Sequence, residues 1–395
     1  MALSSITLEG LALLSFLIWL ALFFGWGHFW RVWEFDTDHA QFPSPAKWPG
    51  VTAVIPARNE AASIAEVVRA LALQDYAGEF SAIVVDDHSD DGTAELARRA
   101  AIEVSTAKVT ILSAPKLASG WTGKLGALNA GVACASTSAA ACHPDYFWFT
   151  DADVIHAPDT LRRLVSRAEA DKLDLTSWMV LLKAETFAER MLIPPFLYFF
   201  LMLYPPKWIA NPGARTAGAA GGCILLQRTA LEHIGGLSAI RSEIIDDCAL
   251  ARAVKRSGGK IWIGLTRSSL SLRSYKTFSE IRDMIARTAF TQLRYSTLLL
   301  LGTLMGLTVT FLLPVALTFS SNPYVWPSAL AAWCLMTGSF LPTVTFYRLR
   351  PILAPLLPLA ALFYLYATWL SAVRYWLGRG GQWKGREQAN RTASS

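Results

Sequence analysis

The sequence predicts an α/β protein set in a membrane: a Rossmann-like domain with a mostly parallel sheet, one transmembrane helix before it and two to three after it. Three observations predict this. From Val51 onward short apolar runs alternate with helical stretches, the pattern of βα units. Residues 8–27 are almost uncharged and long enough to cross a bilayer core of roughly 30 Å, and long apolar stretches return after residue 296. Of the 395 residues 53% are apolar and only 17% charged, too apolar a balance for an ordinary soluble chain.

Taken in order, residues 1–30 form an N-terminal anchor, because no cationic stretch precedes the apolar run and no small-residue cleavage site follows it. Arg31, after an N-terminus lacking Lys and Arg, puts the following region on the cytoplasmic side. The sheet domain covers residues 50–296. Its strands read as "VTAVIPA", "FSAIVVDD", "KVTILSA" and "YFWFTDAD", with helices at "EAASIAEVVRALALQ", "TAELARRAA" and "GKLGALNAGVACA". Strands without polar alternation are buried on both faces, as parallel ones are. Two segments inside this range read as interfacial. Residues 191–206, beginning "MLIPPFLYFFLMLY", are too short to span and carry a proline pair, so they lie in the membrane surface or pack in the core; residues 278–295 place Phe278, Ile281, Met284, Ile285 and Leu293 near one helical face. Residues 297–375 hold the C-terminal membrane helices, the last with Pro351, Pro355 and Pro358 in a first half expected to be broken. Three crossings there would put the basic tail 376–395 outside, against the positive-inside rule, so one of the three is expected to be re-entrant or interfacial.

The net charge of +6 fits basic loops on an anionic membrane face, and without a dense Lys/Arg stripe nucleic acid is not the expected partner. Five scattered cysteines with no CxxC spacing read as reduced core residues.

Chemistry collects at the strand ends. No GxGxxG follows either of the first two strands, which removes the main support for dinucleotide binding. Carboxylates stand there instead: Glu60, Asp86 and Asp87, each able to accept a hydrogen bond from a ribose hydroxyl or a base N–H. Asp90 and Asp91 read as helix caps. After the fourth strand, Asp151 and Asp153 flank Ala152; alternate residues of a strand end can aim two carboxylates at one cation, and Mg2+ or Mn2+ takes a few carboxylates plus phosphate oxygens. Lys124, in "GWTGK" ahead of a helix, reads either as a diphosphate contact or as a surface lysine. Gly221 and Gly222 suit a loop closing over a substrate, or equally a tight turn. Asp246 and Asp247 head a helix; capping accounts for one of them, and the other, Asp247, is placed to act as a general base.

"IPARNE", "VVDDHSDDGT", "TDADV", "GGC" and "IDDCAL", in that order over about residues 51–294, resemble the family 2 glycosyltransferases of GT-A fold. With "GWTGKLGALN", "LIPPFLYFFLMLYP" and the flanking apolar segments, the chain is similar to the hopanoid-associated membrane glycosyltransferases and more distantly to ceramide glucosyltransferase. The resemblance implies an inverting enzyme that moves a sugar from a nucleotide-sugar donor, a UDP-sugar first, to a lipid acceptor in the membrane, with Mg2+ or Mn2+. It assigns Pro56, Glu60 and Asp87 to the nucleotide, Asp151 and Asp153 to the metal and the donor's diphosphate and Asp247 to catalysis; Lys124 joins the donor residues from its loop, and Asp86, Asp246, Gly222 and Arg294 are further candidates. The family's QxxRW element is poorly matched: Thr291 stands where Gln is expected before Arg294, and Tyr295 replaces Trp. That argues against processive synthesis and for a single transfer. The implied location is a bacterial cytoplasmic membrane, sheet domain inside. A polyprenyl-phosphate or polysaccharide glycosyltransferase, a nucleotidyltransferase and a non-catalytic nucleotide- or lipid-binding membrane protein are the competing expectations.

Overall fold

The structure is a computed structural model that describes residues 2–32, 42–104, 108–137, 143–378, 382–383 and 386–387. The chain opens with α1 (Ala2–Leu20), β1 (Val51–Ala57), α2 (Ile64–Ala72), β2 (Phe80–Asp86), α3 (Thr93–Glu103), β3 (Val109–Ser113) and α4 (Gly123–Thr137). It continues with β4 (Tyr146–Phe149), β5 (Val154–His156), α5 (Thr160–Asp171), β6 (Leu175–Leu181), α6 (Phe187–Leu203), α7 (Pro206–Ala210), β7 (Ile224–Gln227), α8 (Arg228–His233), α9 (Asp246–Arg256) and β8 (Ile261–Ser271). Last come α10 (Phe278–Ala286), α11 (Ala289–Gln292), α12 (Thr297–Leu307), α13 (Leu313–Thr318), α14 (Trp326–Phe346), α15 (Leu357–Trp376), β9 (Gln382–Trp383) and β10 (Arg386–Glu387).

These elements divide between two compact units. One gathers Glu34–Lys183, Trp208–Ser274 and Gln382–Ser395 around an eight-stranded sheet in the order β3-β2-β1-β4-β7-β6-β8-β5. Four of its seven pairings are parallel; β4 with β7, β6 with β7 and β5 with β8 run antiparallel. All seven residues of β1 are buried, as its unbroken apolar run requires. Helix α2 buries Ile64, Val67, Val68 and Leu71, the three- and four-residue spacing of one face. Helix α4 comes close enough to the sheet that a Cβ on Gly131 would stand 2.3 Å from Val54 Cγ1. The strand order matters most for function. The chain steps outward from β1 to β2 to β3 and then returns to the other flank of β1 as β4, so the order reverses between β1 and β4, and a crevice opens where strand order reverses.

The second unit gathers Met1–Trp33, Ala184–Lys207 and Tyr275–Gly381. Among the described residues, five stretches are long and apolar enough to cross a membrane: Ile6–Gly25, Phe187–Ala210, Thr297–Thr318, Trp326–Phe346 and Pro351–Trp376. They are tied by polar side chains reaching backbone. Between α12 and α13 the helix widens over Thr308–Leu312, and Ser15 Oγ and Trp19 Nε1 donate to the carbonyls of Val309 and Thr310, each at 2.7 Å. As its prolines predict, the last stretch breaks, running as a 3-10 turn over Pro351–Leu356 before α15.

Helix α6 corrects one expectation. The segment is not too short to span: Thr186 and Glu189 form a capping box that starts the helix at Phe187, and it runs on through Pro194 and Pro195, giving with α7 an apolar stretch of 24 residues. Yet it cannot cross once. The strands before it and after it belong to one sheet, β6 pairing with both β7 and β8, so the chain must return to the side it left. The helix packs in the core of the apolar unit: Tyr198 is fully buried, its hydroxyl 2.6 Å from Ser339 Oγ, and Tyr364 Oη donates to the Leu192 carbonyl at 2.9 Å. Residues 184–207 and 275–296 therefore group with the apolar helices, whereas the sequence reading placed them within the 50–296 domain. The four described cysteines, Cys134, Cys223, Cys248 and Cys334, are free; Cys142 and most of the basic tail lie outside the described residues.

Candidate active site

An open cleft lies where the strand order reverses. Pro56 at the end of β1, Phe149, Thr150 and Asp151 at the end of β4, Lys124 at the start of α4, Gly221 before β7, and Asp246 and Asp247 at the head of α9 all line it. Pro56 is accommodated because it faces the β4 side two residues beyond the last β1–β4 pairing, Val54 with Phe149, so the ladder loses no donor.

Lys124 is the hinge of the charge arrangement. Its Nζ lies 3.0 Å from Asp151 Oδ1 and 3.2 Å from Asp246 Oδ2. Burial alone would push its ammonium toward neutrality; Asp151, Asp246 and Asp247 outweigh burial and hold it charged, well above the ordinary lysine range. The surface-lysine reading therefore fails. Asp247 is held by two backbone donors, Gly221 N–H to Oδ2 at 2.9 Å and Cys248 N–H to Oδ1 at 2.6 Å. Burial first, then the charge of Asp246, push its carboxyl up to about 6, while Lys124 and the two N–H groups pull the other way. A carboxylate so poised, in a cavity and next to a cation, can take a proton near neutral pH.

The remaining candidates are placed as follows. Asp86 and Asp87 close β2, 7% and 2% exposed. Asp87 Oδ2 lies 3.9 Å from Arg58 Nη1, and Asp86 Oδ2 accepts from Ser89 N–H at 3.3 Å, while Asp86 Oδ1 is buried with no hydrogen-bond partner among the described residues. Asp91 is a structural tie, as its capping reading expects: Oδ1 accepts from Thr93 N–H at 3.0 Å and Oδ2 from Ala61 N–H at 2.9 Å, lacing the loop after β1 to the first turn of α3. Glu60 begins the turn into α2, its N–H donating to Thr93 Oγ1 at 2.8 Å. Neither Glu60, Asp87 nor Asp153 is among the residues lining the cavity.

One expectation changes in detail. Asp151 and Asp153 do not project from an extended strand end; Val154 N–H donates to the Asp151 carbonyl at 3.3 Å, closing a turn between β4 and β5. Of the two readings of Gly221 and Gly222, the structure has the tight turn, with Cys223 N–H donating to the Ala220 carbonyl at 3.1 Å. A Cβ on Gly222 would stand 2.9 Å from Val180 Cγ2, so close packing against β6 requires that glycine. Arg294 belongs to the apolar unit, in the left-handed region at φ 53°, and does not line the cavity.

Sequence reasoning missed a polar row that runs inward from the cavity wall at Thr150. Thr150, His156 and Ser269, exposed by 1%, 5% and 0%, form a buried hydrogen-bonded row behind Asp151. No spacing rule links them, because Ser269 reaches His156 only through the antiparallel β5–β8 register.

A mixed α/β sheet with a charged crevice at its switch point defines a GT-A-like fold. Residues 52–235 match the family model described as glycosyl transferase family 2, so the chain carries a glycosyltransferase domain of that family. Among solved structures, the chain is similar to the mannosyltransferase PcManGT from Pyrobaculum calidifontis in complex with GDP-Man and Mn2+, at 20% identity and TM-score 0.55 over 94% of this chain and 99% of that one. It is also similar to glucosyl-3-phosphoglycerate synthase from Mycobacterium tuberculosis in complex with Mn2+, UDP-Glc and glycerol 3-phosphate, at 19% identity and TM-score 0.39 over 62% of this chain and 79% of that one. No curated protein matches the chain.

Proposed function

We propose that this glycosyltransferase moves a sugar from a nucleotide-sugar donor, a UDP-sugar first, to a hydroxyl of a membrane lipid, by a single inverting displacement. The observation that carries the reading is Asp247: a carboxylate fixed by two backbone N–H groups, pushed up to about 6, in the same cavity as Asp151 and Lys124.

The side chains divide the work. The unpartnered Asp86 Oδ1 at the end of β2 is a buried acceptor for an N–H or O–H of the donor's nucleoside, with Pro56, Glu60 and Asp87 on the same strand-end loops. Lys124 meets the donor's diphosphate, giving up a carboxylate contact as it does so. Asp247 accepts the proton of the acceptor hydroxyl as that oxygen attacks the anomeric carbon, and the nucleoside diphosphate leaves from the opposite face.

The donor set suits a hard divalent ion. Among the described residues no three His, Cys, Asp or Glu side chains form a cage, but Mg2+ and Mn2+ sites are commonly built from one or two carboxylates completed by substrate phosphates. Asp151 and Asp153 would hold it, and when bound it neutralises charge on the leaving diphosphate.

The membrane acceptor is supported by the five apolar stretches, and Arg31 after α1 favours a cytoplasmic sheet unit; a bacterial inner membrane is the location to which the sequence resemblance points. A hopanoid hydroxyl is the acceptor to which the sequence resemblance points. The test uses purified protein in detergent, UDP- and GDP-sugars, Mg2+ or Mn2+, and free nucleoside diphosphate as readout, with hopanoid, ceramide or polyprenyl phosphate added in turn. Asp247→Asn should cut transfer by about 10²- to 10⁴-fold with donor binding kept. Wild-type turnover in that variant would remove Asp247 from the base role.

A further inference from the structure

The buried row behind the cavity has a fixed proton pattern. Thr150 Oγ1 donates its single proton to the Gly222 carbonyl at 3.0 Å, so the 2.8 Å contact between Thr150 Oγ1 and His156 Nε2 requires the imidazole to be the donor. Burial pushes His156 down to about 3, against a small opposing effect of Asp151, and the ring is therefore neutral. A neutral ring protonated at Nε2 has a bare Nδ1, which accepts from Ser269 Oγ–H at 2.7 Å. The tautomer is thus dictated from one end of the row, at Gly222, to the other, at Ser269. Trp148 packs against the ring, centroids 4.6 Å apart, and removes the room to turn.

What this row touches is the reacting machinery. Thr150 precedes Asp151, and Gly222 follows Gly221, whose N–H holds Asp247 Oδ2. Three strand ends, those of β4, β5 and β8, are thereby joined to the turn that supports the base.

We propose that Thr150, His156 and Ser269 are positioning residues that lock the Gly221–Gly222 turn against the end of β4, so that Asp247 and Asp151 keep a fixed separation across the cavity. This rests on reading Asp247 as the base. Thr150 lines the cavity, but its hydroxyl is engaged by His156 and the Gly222 carbonyl, and the row acts through Gly222 and Gly221.

The test compares Thr150→Val, which keeps the branched shape and removes the hydroxyl, with Thr150→Ser, which keeps the hydroxyl. In Thr150→Val kcat should fall about 10- to 100-fold, the usual cost of removing a supporting hydrogen bond one layer behind a site, with donor KM unchanged. Thr150→Ser should restore most of the loss. Full kcat in Thr150→Val, or a Thr150→Ser variant as impaired as Thr150→Val, overturns the proposal, because a packing role would follow shape and not the hydroxyl. If Thr150→Val fails to fold, Ser269→Ala carries the same test from the far end, with the same split between kcat and KM expected. A second readout does not depend on turnover. In protein with 15N-labelled histidine, the signal that vanishes in His156→Gln should report the Nε2–H tautomer in wild type and Thr150→Ser, and lose that fixed form in Thr150→Val. An Nδ1–H or charged ring in wild type overturns the proposal. A wild type that transfers no sugar yet shows the expected tautomer response would sink the glycosyltransfer reading and leave the lock standing.

Discussion

Replacing Asp246 by Asn removes one charge beside the proposed base and keeps the shape of the cavity wall. In the native protein, holding the Asp247 carboxyl at about 6 instead of its ordinary 3.8 disfavours the charged form by about 3 kcal/mol. Burial supplies the largest part and Asp246 the next. Asp246 also shares Lys124, 3.2 Å away, with Asp151. The substitution therefore acts twice in one direction: a repelling anion is lost, and Lys124 is left with one carboxylate fewer to neutralise. The carboxyl of Asp247 should fall by about one unit, the order of a single close charge in a partly buried site. A base works deprotonated, so activity climbs as pH rises through this value. At pH 5 a group titrating near 6 is about one-tenth deprotonated, and one titrating near 5 about half. The assay is kcat/KM for the donor between pH 4.5 and 8, each variant normalised to its own plateau. Asp246→Asn should raise the relative activity at pH 5 about fivefold over wild type. An acid limb that stays near 6, or moves upward, would refute the claim that this pair sets the ionisation seen.

Lys124→Met should move the same limb the other way, to higher pH, because the cation that lowers Asp247 is gone; a downward shift would contradict the charge arrangement. Asp151→Asn and Asp153→Ala should each raise the Mg2+ or Mn2+ concentration needed for donor binding, and an unchanged metal titration by calorimetry would count against the metal assignment. Gly131→Ala puts a Cβ 2.3 Å from Val54 Cγ1 and 3.1 Å from Val85 Cγ2, and this crowding between α4 and the sheet should cost about 1–3 kcal/mol in denaturant unfolding; unaltered stability would show that the helix can shift freely.

β1 and β2 were legible because they are parallel and almost wholly buried, as "VTAVIPA" and "FSAIVVDD" require, whereas β3, at the sheet edge, has no buried residue. The second half of the sheet was not legible. β5 has three residues, and β8 carries Thr266, Arg267, Ser268 and Ser269 within an eleven-residue strand, so neither shows a clean apolar run or alternation. The cavity acids could be picked from the sequence because they stand after a strand end and at a helix start. Their common partner could not, since Lys124 meets Asp151 and Asp246 only through the crossover of α4 and the return of the chain at α9. Asp153 shows the limit of a motif: the spacing is present, but a turn closing on the Asp151 carbonyl, and not strand pleating, decides where the second carboxylate goes.

The excursion at α6 also governs the order in which the protein can be made. β4 and β6 wait for β7, and β6 waits for β8 as well, yet both partners are synthesised only after the apolar helix. When β8 completes the sheet, Ser339 and Tyr364, which hold α6 in place, have still to leave the ribosome. The nascent chain must therefore carry a bare hydrophobic helix through the closure of its own catalytic sheet. A membrane surface at hand during synthesis is the natural shelter for it, and translation without one should yield aggregates before it yields folded sheet.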